Sequence, residues 1–341
     1  MNRRLLPDRE AGWLLLLAAA LPLALLAATL SGPAPIAWHE AWRIVFGVSG
    51  GEAPDAEVYQ RIIWSLRIPR ALLAALAGAG LALAGTVLQS LTRNPLADPW
   101  VLGISSGAGV GAVTVLVLGL GGGLLSVSGG AFLGALGAFA LVMLLAGRSL
   151  QGESTLFILA GVAVTQLLSA LTSLITLWQA DANVTRGVMF WLLGSFSDAR
   201  WPQVWLCGLA LAAVLLLCWL RAGELDALAF GGVTAASLGV AVAPLKLLLY
   251  VATTALTAAI VAFSGAVGFI GLTVPHVARR LVGSRHRLLL PASALCGALF
   301  AVAADTLART LFAPRELPVG VLTALLGVPV FLLLLYRKVN A

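Results

Sequence analysis

Side chains that could do chemistry are few in this chain, and most of them sit at the ends of apolar runs. Asp305 is the one carboxylate inside such a run, and Arg309 follows four residues later on the same helix face. The spacing offers an ion pair; the alternative is a proton relay, because acids within a membrane are usually functional. Arg67 and Arg70 flank a proline in "RIPR" at the mouth of one run, and Arg309 lies where another emerges. Guanidiniums there suit two tasks, clamping carboxylates of a docking protein or anchoring helix ends by snorkelling. His39, His276 and His286 are isolated from one another. His276, after Pro275 at a helix interruption, offers only a transient ligand role toward a metal chelate. Cys207, Cys218 and Cys296 fall inside apolar runs without ligand spacing and read as small buried hydrophobes. No metal centre follows. ATP hydrolysis also lacks a site, since GxxxxGK[ST] is absent and neither lysine, Lys246 or Lys338, follows a glycine.

The elements that must position these groups are membrane spans. Of 341 residues 60% are hydrophobic and 10% charged, with a mean hydropathy of +1.02, whereas soluble domains carry about a quarter charged residues. The chain reads as one all-α membrane domain over residues 1–341. Proline, glycine and charge clusters punctuate ten spans, near 12–30, 68–91, 100–118, 129–147, 154–177, 202–220, 242–263, 268–282, 289–308 and 318–336. The first exceeds a secretory h-region and reads as a retained span. The eighth opens in "SGAVGFIGLTVPH", whose glycines and Pro275 predict a broken crossing. An even count puts both termini on one side, and the lysine and arginine bias makes that side the cytoplasm. Trp38, Trp42 and Trp64 in the outer loop 33–66 read as an interfacial belt. The net charge of +7 is scattered over short loops, which excludes a nucleic-acid surface.

Two loops are too specific for plain connectors. In "RNPLADPWVLGISSGAG", Asn94-Pro95 makes a turn, Asp98-Pro99 starts a helix, and Gly103, Gly107 and Gly111 form a stripe for close helix packing. On the same side, residues 221–246 read as two short helices. The first carries Leu225, Leu228 and Phe230 as apolar knobs; after a break at Gly231-Gly232, the second is capped by Thr234 and stopped by Gly239. Such knobs suit docking to a soluble partner, the alternative being a pair lying among the headgroups.

Several blocks together resemble one family: "RIPRALLAALAGAGLALAGTVLQSLTRNPLADPWVLGISSGAGVGAV", "LAGVAVTQLLSAL", "FWLLGSF", "ELDALAFGGVTAASLGV", "GAVGFIGLTVPHVARRLVGSRHRLLLP" and "RELPVGVLTALLGVPVFLLLL". The resemblance, from about Arg61 to the C-terminus, is to the transmembrane permeases of binding-protein-dependent ABC importers for ferric siderophores, haem and cobalamin. It implies the type II ABC importer permease fold, with ten transmembrane helices per subunit and short cytoplasmic coupling helices. It also implies a bacterial inner membrane location, a second permease copy as a homodimer, two cytoplasmic ABC ATPase subunits and a periplasmic substrate-binding protein. No cofactor is implied for this chain; ATP and Mg belong to the ATPase. By the same resemblance Arg67, Arg70 and Arg309 receive acidic residues of the binding protein. Glu224, Leu225, Leu228, Phe230, Gly231, Leu238 and Gly239, within loop 221–241, couple to the ATPase. Asn94 and Leu96, with Ser154 and Thr155 of "GEST", line cytoplasmic gates. The cargo expected is an iron chelate, ferric siderophore or haem, with cobalamin the alternative. From another class, the rival is a proton-coupled secondary transporter with Asp305 as relay.

Overall fold

The computed structural model describes residues 8–32, 36–47, 56–119, 126–146, 154–178, 181–313 and 315–339, and every regular element among them is helical. In chain order these are α1 (Asp8–Leu30), α2 (Trp38–Val45), α3 (Ala56–Ile62), α4 (Ile68–Thr92), α5 (Ile104–Val117), α6 (Val127–Ala146), α7 (Ser154–Trp178), α8 (Ala182–Leu193), α9 (Trp201–Leu220), α10 (Ala222–Ala229), α11 (Gly232–Ser237), α12 (Val242–Ser264), α13 (Ile270–Val282), α14 (His286–Thr310) and α15 (Val319–Val339). A π-helical turn over Ile63–Arg67 joins α3 to α4, and a 3-10 turn over Pro99–Leu102 precedes α5. A helix stands at each of the ten expected spans. Seven apolar stretches, in α1, α3–α4, α6, α7, α9, α12 and α14, are long enough to cross a bilayer, whereas α5 and the apolar part of α15 are shorter. Helix α13 has only 13 residues and starts after Phe269 at φ +67°, so the eighth crossing is partial, as its glycines predict; Pro275 lies inside α13, so the interruption falls at residues 265–269 and not at the proline. The sequence reading missed α8, whose amides are capped by Asp181.

Helix α4 is the interior of the bundle, with almost every residue from Pro69 to Thr92 buried. Lipid is as apolar as a leucine core, so helices associate there by close packing, which favours residues without side chains at the contact. Gly78 lies against the Gly297 carbonyl of α14, Gly80 against Ile260 of α12, and Gly85 against the Gly271 carbonyl of α13. The expected stripe behaves the same way. Gly107 and Gly111 of α5 abut the Gly134 and Gly130 carbonyls of α6. Gly103 does not belong to that stripe: at φ +76° it breaks the chain between the 3-10 turn and α5. The helix expected to start at Pro99 is therefore two pieces.

Because a side chain at Gly111 would meet backbone rather than a movable side chain, Gly111→Val should cost about 1–3 kcal/mol as overpacking. At Gly137 on α6 a methyl meets nothing within 4 Å, so Gly137→Ala serves as the neutral control. Thermal unfolding in detergent checks the pair, and equal melting temperatures would contradict the packing.

Candidate functional site

At one end of the bundle, α4 stops at Arg93, which adopts φ +50° and turns the chain into the corner 93–98. The Asn94 side chain accepts from the Leu96 amide at 2.9 Å, and Ala97 N–H donates to the Asn94 carbonyl at 3.1 Å. Leu96 is left half exposed at the tip. Asp98 then caps the 3-10 turn, accepting from the Trp100 amide at 3.2 Å. Helix α13 braces this corner. His276 Nε2 lies 2.9 Å from the Pro95 carbonyl, which can only accept, so this ring nitrogen carries a proton and donates. That interaction gives His276 a structural role in place of the ligand chemistry considered from sequence. Gln89, one turn before the corner, donates to the Gly271 and Leu272 carbonyls at 3.2 and 3.3 Å and accepts from Arg279 at 2.7 Å. The corner is thus held on both sides of Pro95. The side chains of Ser154 and Thr155, the other expected gate residues, lie outside the described residues.

Helices α10 and α11 lie at the same end, with the Arg93 guanidinium beside Gly231. Gly231 takes φ +106° and Gly239 φ +85°, so both expected breaks are present. The second helix starts at Gly232, capped by Gly231, and Thr234 sits inside it; the expected Thr234 cap is corrected accordingly. A larger correction concerns the knobs. Leu225 and Leu228 are fully buried in the main apolar core, where they fasten α10 to the bundle. Phe230, Val233 and Leu238 are the side chains that protrude, 76, 88 and 68% exposed. Beside them, a cleft of about 510 Å³ is lined by Glu224, Leu238, Gly239, Pro244 and others. Glu224 pairs with Arg221 at 2.8 Å on its rim. Val233 escaped the sequence reading because the helix cap was placed at Thr234; the cap is Gly231, three residues earlier, which puts Val233 inside α11.

The opposite end carries the three arginines, and the structure turns their forks inward. Arg67 donates to the Thr29 and Leu30 carbonyls at 3.2 and 3.1 Å. Arg309 donates to the Ser31 carbonyl at 2.7 Å and to that of Ala28. Both therefore satisfy the last carbonyls of α1, where a helix presents its negative end. Arg70 holds Asp305 at 2.9 Å and Glu316 at 2.9 Å. Asp305 does meet Arg309, at 3.4 Å, but its nearer partner is Arg70, from a helix 235 positions away in sequence. All three arginines are buried, so they differ from exposed forks awaiting a partner; they line a cavity of about 290 Å³ with Leu66, Ser197 and Glu316. Asp305, with guanidiniums on both oxygens, is a structural counter-ion rather than a free relay carboxylate.

Residues 17–337 match the FecCD transport family. The chain belongs to the FecCD transport family. Among relatives of this FecCD chain, the ABC transporter permease YvrB of Bacillus subtilis is 41% identical, covering 98% of this chain and 96% of that protein. The cobalamin import permease BtuC of Halobacterium salinarum is 43% identical over 84% and 76% of the two chains. The hemin transport permease HmuU of Yersinia pestis is 43% identical over 81% and 84%. A solved structure described as a metal-chelate type ABC transporter in an inward-facing conformation superposes with a TM-score of 0.81 at 33% identity, covering 95% of this chain and 98% of that one. The FecCD chain thus has the type II ABC importer permease fold.

Two outcomes are expected from these sites. Asp305→Asn leaves the buried Arg309 without a carboxylate and Arg70 with Glu316 alone, and should cost about 3–5 kcal/mol, read as a lower melting temperature; an unchanged one would remove Asp305 from that role. Burial pushes the Asp98 carboxyl from an ordinary 3.8 up to about 6, against the lowering pull of the Trp100 and Leu272 amides. Folding therefore favours its protonated form: that stabilisation is complete below 3.8 and disappears as pH rises through about 6. Unfolding between pH 3.5 and 7 should show this loss in the wild type and a flatter profile in Asp98→Asn.

Proposed function

We infer that this chain is the membrane-spanning subunit of an ATP-driven importer in a bacterial inner membrane, with both termini cytoplasmic. Its cargo in this reading is an iron chelate, ferric siderophore or haem, carried from periplasm to cytoplasm. The observation that carries it is the apolar triplet Phe230, Val233 and Leu238, exposed on two short helices beside the braced corner that presents Leu96. Exposed apolar knobs on a fixed base are what a soluble motor can grip. Two ATPase subunits hold those helices, a periplasmic binding protein delivers cargo at the arginine end, and a second copy completes the pathway as a homodimer. Glu224, Leu238 and Gly239 border the cleft that receives the ATPase, while Leu225, Leu228 and Gly231 keep the helices in place. Arg67, Arg70 and Arg309 shape the floor on which the binding protein docks, with Glu316 paired to Arg70 at its edge.

An uncharged cleft of about 250 Å³ between α5, α7 and α8 supports passage of a large chelate. Its walls offer hydroxyls, from Ser105, Ser106, Ser169, Thr172 and Ser173, and apolar surface from Trp100 and Leu192. Weak hydroxyl contacts suit a path that must release what it takes in. Cobalamin import is the second reading, supported by the cobalamin permease among the relatives.

In proteoliposomes, uptake of radiolabelled ferric siderophore or haem should require the ATPase, the binding protein and ATP together. Transport by the chain alone down a pH difference would contradict the reading. Replacing Phe230 and Val233 by Asp should abolish co-purification of the ATPase while each substitution leaves the unfolding free energy within about 0.5 kcal/mol of wild type, because both side chains are exposed.

A further inference from the structure

Three polar side chains far apart in sequence meet beneath α10 in an arrangement the reading above leaves unused. Asp226 of α10 places Oδ1 2.6 Å from His286 Nδ1 and also accepts the His286 backbone N–H at 3.0 Å. The other ring nitrogen, Nε2, lies 2.6 Å from Ser90 Oγ on α4. Ser90 in turn donates to the Thr86 carbonyl one turn earlier, at 2.9 Å. Ser90 and His286 are buried, whereas the Asp226 side chain is 40% exposed at the surface end of the chain of bonds.

The order carboxylate, imidazole, hydroxyl is that of a hydrolytic triad, but the surroundings rule out that use. Ser90 sits in the enclosed last turns of α4 with its hydroxyl already engaged by Thr86, so no substrate carbonyl reaches it. What distinguishes the three residues is position: each lies on a different helix. Asp226 lies four residues, about one turn, before the exposed Phe230; His286 opens α14; Ser90 lies three residues before Arg93, where α4 turns into the corner.

We propose that His286 is a positioning residue that ties α10 to α4, so that displacement of the Phe230 knob is delivered to the corner bearing Asn94 and Leu96. The proposal rests on the importer reading. The tie holds in either protonation state of the ring. Neutral, with Nδ1–H given to Asp226, the ring accepts the single Ser90 hydroxyl proton, which then no longer goes to Thr86; charged, Nε2–H donates to Ser90, whose proton goes to Thr86. Asp226 reinforces it by capping the free amide of the first residue of α14, where a helix presents its positive end. A second contact runs in parallel, because Arg93 leans against Gly231 at the break between α10 and α11. Apolar packing alone lets two helices slide; a pair of short directional bonds on opposite edges of one rigid ring fixes both spacing and angle.

The test uses the complete importer in proteoliposomes and reads uptake per ATP hydrolysed, a ratio that loss of folded protein does not change. His286→Ala should lower it about tenfold, and Ser90→Ala severalfold, with the ATPase still co-purifying. The double variant should be no worse than His286→Ala alone, since both remove one connection. His286→Gln, which keeps a donor and an acceptor, should recover part of the ratio. If His286→Ala does not assemble, Asp226→Asn and Ser90→Ala carry the same comparison through their double variant. An unchanged ratio in an assembled variant, or losses that simply multiply in the double variant, would overturn the proposal. Absence of ATP-driven uptake by the wild-type complex would instead overturn the importer reading.

Discussion

Helix α4 touches its neighbours backbone to backbone. Where Gly78 meets Gly297 and Gly85 meets Gly271, no side chain separates the two helices, so no rotamer change can absorb a displacement. Such a helix transmits force as a rod. One of its ends carries Arg67 and Arg70, and the other carries Ser90 and the corner at Arg93. The remaining helices can be understood as what holds this rod, what closes its ends, and what can reach it from outside.

The ends follow from a second constraint, the absence of water to satisfy polar groups in the interior. At the end that carries the arginines, the final carbonyls of α1 and the carboxylates Asp305 and Glu316 are matched by three guanidiniums. At the opposite end, the break at Pro95 is matched by His276, and the free carbonyls around Gly271 by Gln89. Each interruption of regular helix, at Arg93, Gly103 and Phe269, thus falls where a side chain or a neighbouring helix answers for it.

Much of this was legible in the sequence. Apolar length and glycine punctuation place a helix at each expected span, seven of them long enough to cross among the described residues, and locate the short helix after Phe269 and the paired short helices, because helix period and chain breakers act locally. Side-chain direction was less legible. Leu225 and Phe230 are both apolar residues of one loop, yet the first is buried and the second exposed, and only the tertiary position of α10 separates them. The arginines show the same limit: "RIPR" reveals two guanidiniums at a span mouth but not that Asp305 and Glu316 wait opposite. His286 had no local signal at all, since its partners are 60 and 196 positions away.

The central claim is that the corner over residues 93–98 moves as part of α4 rather than as a flexible loop. Spin labels at Leu66 and Leu96, both exposed and at opposite ends of the rod, measure this directly in the assembled importer. The Leu66 to Leu96 distance should stay constant through ATP binding and hydrolysis, while the distance from Leu96 in one copy to Leu96 in the other switches between two values. A Leu66 to Leu96 distance that itself changes with nucleotide would contradict the account.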